Sequence, residues 1–272
     1  MSSQLLIYES VVPVSNARHA GWSVEIGADY SFSKRVNAVP LMAVEFPNAA
    51  AEYAIVFSGA KEAVIPVAIL GMRRDENLYL AGDGGWQAKY LPAFVRRYPF
   101  VFSTSEDGKT FTLCIDESYS RFNQKGRGER LFTDEQKPTP YVERVLKFLE
   151  QYQIEFGRTQ AFCKKLLELD LLEPMRAQAN LGSGEKLSLV GFMATNRDKM
   201  KALPAEKLAE LAKTNELELL YLHLQSMRNF AGMIDRLGGR QPDKPAEPPI
   251  APEPAPKSGK RSKGKRAARA RK

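Results

Sequence analysis

Cysteine and histidine are nearly missing: the 272 residues contain two of each. Two thiols cannot build a disulfide framework or a four-thiolate zinc site, and two histidines add too little for a multi-histidine catalytic metal. No metal and no cofactor is therefore expected. A thiol-poor interior suits a reducing compartment. Long apolar runs are missing as well, since no stretch approaches the ~20 consecutive apolar residues of a membrane span. The opening Met1-Ser-Ser-Gln-Leu-Leu-Ile-Tyr-Glu9 has no leading Lys or Arg and an acid close behind a short apolar run, which is not a signal peptide. The expectation is a protein made and kept in the cytoplasm, reaching the cell surface only if a signal-independent exporter carries it.

What is present is an ordinary globular composition, 43% hydrophobic and 10% aromatic, long enough to bury a sizeable core without disulfides or metal. The formal charge of +8 is unevenly placed. Residues 241–272 carry 10 Lys+Arg and 3 Asp+Glu, which leaves 30 and 29 in the first 240. Seven prolines between Pro242 and Pro256, with Ile250 as the one large apolar residue, predict a disordered, extended spacer. Beyond it stand Lys257, Lys260, Arg261, Lys263, Lys265, Arg266, Arg269, Arg271 and Lys272 with no interleaved aromatic. Cations without stacking groups bind polyanions through counterion release, with steep salt dependence and no base preference. The other reading of this run is a solubilising tail with no partner.

The first 240 residues read as one α+β domain, β-rich over 1–135 and helical over 136–240. Tyr53–Ser58, Val64–Gly71, Leu78–Ala81, Phe100–Ser103 and Thr110–Ile115 are short apolar runs parted by turn residues, and Asp107-Gly108 signals a hairpin. They predict an antiparallel or mixed sheet of about five strands, joined by an earlier strand near Gln4–Val12. At Pro138 the period changes. Thr139 caps, Pro140 suits the first helical position, and an apolar stripe from Val142 to Leu167 predicts a helix over Pro140–Leu169, packed with the later helices against the sheet. Lys186–Met193 reads as extended, Pro204 opens a short helix, and Asn215 with Glu218 predicts a capping box for a last, buried helix to Leu237.

No motif reaches a catalytic signature. Within Gly82–Phe100, a Gly turn, Asp83, Trp86, Tyr90 and the neighbours Arg96 and Arg97 form a candidate small-ligand or enzyme site, because Arg grips carboxylates and phosphates bidentately and aromatics exclude water. A packed tryptophan beside structural ion pairs explains the same residues. Asp116 and Glu117 are adjacent on a strand and point to opposite faces, so they do not converge on one substrate. His223, Ser226 and Asn229 form a polar ridge on an apolar helix. It is a candidate ligand-binding element or, on its poor catalytic geometry, a buried network that registers the last helix on the sheet.

Asn37-Ala-Val-Pro-Leu41, Glu45-Phe-Pro-Asn-Ala-Ala50, Glu52-Tyr-Ala-Ile-Val-Phe57, Pro66-Val-Ala-Ile-Leu-Gly71, Tyr90–Phe100 and Tyr221-Leu-His-Leu-Gln-Ser226 occur in an order that resembles the bacterial SapC family. The likeness spans about residues 4–237. It implies a link to the bacterial surface layer or envelope, with a non-catalytic binding or accessory role in export or modification of another protein. It implies no catalytic residue.

Overall fold

Alternating and continuous apolar runs settle into eleven strands and eight α-helices among the described residues of the computed structural model, which are 5–60, 63–105, 107–181 and 184–237. In chain order these are β1 Val11–Pro13, α1 Asn16–His19, β2 Ser23–Val24, β3 Ala38–Pro40, α2 Phe46–Ala49, β4 Ile55–Ser58 and β5 Ile65–Ile69. Then follow α3 Ala93–Arg96, β6 Phe100–Thr104, β7 Phe111–Asp116, β8 Phe122–Asn123, β9 Glu129–Arg130 and α4 Pro140–Glu168. The chain continues with β10 Leu172–Asn180, β11 Lys186–Thr195, α5 Arg197–Lys201, α6 Ala205–Lys213, α7 Glu216–Ser226 and α8 Asn229–Leu237. Internal contacts divide the chain into Met1–Gln241 and Pro242–Lys272, and every described residue belongs to the first unit. The proline-rich spacer and the cations from Lys257 to Lys272 lie outside the described residues.

The fold class is α+β with antiparallel sheets, as the patterning predicts, but the single sheet of about five strands is corrected to three sheets. Their orders are β1-β7-β6, β10-β11-β4-β5-β3 and β8-β2-β9. The reason lies in α4. At 1.5 Å per residue its 29 residues extend about 44 Å, enough to serve more than one sheet. Its first half buries Val142 and Leu149 with Phe100 and Ile115 of the β6–β7 hairpin. Its second half buries Phe162, Cys163 and Leu166 with Ile55, Phe57 and Ala68 of the central sheet. Pro140 opens the helix, and Thr139 Oγ1 accepts from the Val142 N–H at 3.4 Å.

The central sheet is covered on one face by α4 and α7 and over part of the other by α8, which is why Ala54–Phe57 is apolar without alternation. Val39, Ile55, Phe57 and Leu70 face the α4 and α7 side, whereas Ala54, Val56, Val67 and Phe192 face Met233 of α8.

Three further corrections have local causes. Leu78–Ala81 forms a turn with one bridge, Leu80 to Trp86, because Asn77 Oδ1 captures the Tyr79 N–H (3.0 Å) that a ladder would use. The predicted last helix is two, α7 and α8. Ser226 Oγ donates to the His223 carbonyl at 2.6 Å, and the Met227 N–H turns to Gln225 instead of that carbonyl. Asn215 is left-handed (φ 60°) and makes no capping bond, so the predicted capping box is absent. The sequence pattern also misses β10, whose Pro174 is tolerated because the strand lies at the sheet edge.

Candidate functional site

Asp83 is exposed and closes its own turn, accepting from the Gly85 N–H at 2.9 Å. Trp86 lies inward. Its indole N–H donates to Tyr53 Oη at 2.8 Å, and Tyr53 Oη donates to the Tyr90 carbonyl at 2.5 Å. The indole stacks on Tyr79 with centroids 6.4 Å apart, and the Arg236 guanidinium covers Tyr79 at 4.5 Å. Burial pushes the Tyr79 hydroxyl up to about 12, so it stays protonated at neutral pH.

The Tyr90 side chain reaches a second cluster, centred on Glu45. Glu45 is buried, and its Oε1 accepts from Tyr90 Oη and from the Ala93 N–H, both at 2.7 Å. Its Oε2 accepts from the Met42 N–H at 2.7 Å. Burial raises the Glu45 carboxyl above its usual value, against the three donors and the nearby Arg96. Arg96 and Arg97 meet successive turns of α4 but not the same environment. Arg96 is exposed over Tyr90 and Phe148, at 5.8 and 5.5 Å. Arg97 is 3% exposed, its guanidinium 4.4 Å from the Phe94 ring centre, 4.9 Å from Tyr152 and 5.5 Å from Tyr8. Solvent reaches only the first of the two guanidinium groups.

His223 lies elsewhere again, at a wedge in the central sheet. β11 and β4 share one pair, Met193 with Phe57. Extending that register by two residues would set Thr195 opposite Ile55, and the imidazole occupies that place. Nδ1–H donates to the Ile55 carbonyl at 2.8 Å while Nε2 accepts the Thr195 N–H at 3.0 Å. Ser226 Oγ takes the Ile55 N–H at 3.0 Å, and Asn229 Nδ2 donates to the carbonyls of Ala50 and Tyr53 at 2.8 and 2.9 Å. The polar ridge is thus a set of substitute ladder bonds. Burial lowers the His223 pKa to about 4, keeping the ring neutral.

The paired acids part as their strand geometry predicts. Asp116 accepts from the N–H groups of Glu9, Ser10 and Ser118. Burial raises this carboxyl, but its hydrogen bonds outweigh that and leave it below the usual carboxylate range. Glu117 instead meets Arg18 and, at 2.9 Å, His19 Nε2. His19 Nδ1 accepts the Ser15 N–H, so that ring is satisfied at both ends. Cys114 and Cys163 are both buried thiols; burial pushes Cys163 up to about 12. Among the described residues no group of three His, Cys, Asp or Glu could hold a metal, and no helix is long and apolar enough to cross a membrane.

None of the six sequence-derived site residues lines the trough on the α8 side of the central sheet. This trough, about 370 Å³, crosses four strands through Phe192 of β11, Val56 of β4, Val67 of β5 and Pro40 of β3. Leu6 and Val190 stand on its lining 49% and 60% exposed. In β11, Val190 and Gly191 together oppose Arg176, a bulge in which Gly191 takes φ 85°. Gly59 (φ 127°) ends β4 at the trough, where a Cβ would stand 2.3 Å from the Ala63 carbonyl oxygen. Among the described residues no lining side chain is ionisable. A second cleft, about 330 Å³, is charged, but its Glu155 and Arg158 pair at 2.8 Å and its Glu216 is held by Lys165 at 2.6 Å.

Antiparallel sheets packed on one long helix, with His223, Glu45 and Asp116 held in internal hydrogen bonds and an apolar trough on the central sheet, define an α+β protein. The chain belongs to the SapC family, whose pattern matches residues 14–233. No curated protein and no solved structure matches it.

Proposed function

We propose that this chain is a non-catalytic binding or accessory protein serving the bacterial surface layer or the export or modification of an envelope protein, and that it works from the cytoplasm. One observation carries the reading: the described residues that line the trough include no ionisable side chain, whereas His223, Glu45, Asp116 and His19 are committed to internal hydrogen bonds. General acid–base chemistry needs a titratable group within reach of the ligand. A strain lacking the chain should show a defective surface layer or reduced display of an envelope protein. Wild-type sequence should restore it, and Ser58→Phe, which fills the trough, should not. An intact envelope in the deletion strain, or turnover of a small molecule by the purified chain that Arg97→Ala abolishes, defeats the proposal.

The charge run favours a second, separable activity, contact of residues 257–272 with polyanions. If about six of its cations engage phosphates, affinity for DNA, read from retention across a salt series, should fall by about a thousandfold between about 50 and about 200 mM salt. Equal retention of the full chain and a version ending at residue 256 removes this activity.

A further inference from the structure

We infer that the trough across the central sheet holds the aliphatic chain of a neutral acylated ligand, a single chain of about twelve carbons. The inference deepens the binding-protein reading, on which it rests, by naming the ligand's chemical class. Four strands enclose three intervals of about 4.8 Å, so the trough runs about 15 Å. An extended alkyl chain with bonds of about 1.5 Å advances about 1.25 Å per carbon, which gives about twelve. The volume, about 370 Å³, falls in the range of small-molecule sites. Leu6 and Val190 leave large apolar side chains uncovered in the lining, surface that a chain would remove from water.

An extended peptide fits the same length poorly. About 15 Å of strand carries four or five residues, hence about nine backbone donors and acceptors, each costly to bury unpaired. The lining offers two hydrogen-bonding side chains, Asn37 and Ser58. Neither has a hydrogen-bond partner among the described residues. Asn37 aligns with Leu70 and Ser58 with Ile65, five residues apart along β5, so the two do not share one group. Asn37, beside β3 at the trough's edge, suits one ester or amide end group, and the absence of a cation among the described lining residues disfavours a carboxylate head.

Calorimetric titration of the full chain with monoacylglycerols of eight, ten, twelve and sixteen carbons, below micelle formation, tests this. Each methylene should tighten binding about fourfold up to about twelve carbons, and longer chains should gain nothing. Ala38→Phe and Ser58→Phe, at half-buried positions and checked for folding by circular dichroism, should each weaken binding at least about tenfold. Sodium dodecanoate should bind more weakly than monolauroylglycerol. The inference is overturned by no binding at any length or by affinity still rising at sixteen carbons. Folded Phe variants that bind normally, dodecanoate binding as tightly as the glyceride, or tighter binding of a neutral apolar pentapeptide would also overturn it. An envelope defect on deletion without acylglycerol binding sinks this inference alone, and binding without any envelope defect sinks the accessory role alone.

Discussion

Replacing His223 with alanine should cost about 4 kcal/mol of stability, the sum of two buried backbone groups left unpaired and a lost ring. The Thr195 N–H and the Ile55 carbonyl each have the imidazole as partner, and the ring packs 4.9 Å from Phe57. His223→Gln, which keeps an amide donor and an acceptor, should recover part of the loss. Urea unfolding of the three proteins checks this. A penalty below about 1 kcal/mol for alanine would mean that β4 and β11 close on each other without the ring.

The same ring makes stability depend on pH. Its folded pKa, about 4, is below the ordinary value of 6.5, because burial disfavours the imidazolium. Between those values the unfolded chain binds more protons, so stability rises with pH and is lost as pH falls from about 6.5 toward about 4, by about 3 kcal/mol. Glu45 has the opposite sign: its raised folded pKa favours the fold at acid pH and withdraws that favour as pH rises above its unfolded value. Subtracting the His223→Gln curve from that of the wild type isolates the histidine. Parallel curves would show that the ring does not titrate in this window.

How far such residues were legible depends on how far away their partners lie. The helix α4 and the β6–β7 hairpin were readable because Thr139, Pro140 and Asp107-Gly108 act locally. The ridge His223, Ser226, Asn229 was readable as polarity on an apolar helix. Its partners, Ile55 and Tyr53, lie more than 160 residues earlier, so sequence could state the need but not the site. The strands β2, β8 and β9 have two residues each, too short to carry a period. Asp83, Trp86, Tyr90, Arg96 and Arg97 were close in sequence and suggested a site, yet α3 sends one guanidinium outward and one inward. The trough arises from strand order, which alternation within single strands does not encode. Glu45, between Val44 and Phe46, carried no local sign of burial beyond its place in a family block.

Glu45→Ala should be the second severe change, at about 3 to 5 kcal/mol. The residue ends a short turn at Ala43–Glu45, bonds back to Met42, and ties that turn to Tyr90 and to the start of α3 at Ala93. Alanine strands two buried N–H groups and a half-buried hydroxyl, each worth about 1–3 kcal/mol, partly offset by removal of a desolvated carboxylate. Glu45→Gln places a second donor opposite one of these N–H groups and should cost less, about 1–2 kcal/mol, while erasing the opposing pH term. Chemical denaturation at two pH values separates the outcomes. If alanine were as stable as glutamine at both, the carboxylate would not be what holds the Met42 turn to α3, and packing of Phe46 and Phe94 would have to carry that junction alone.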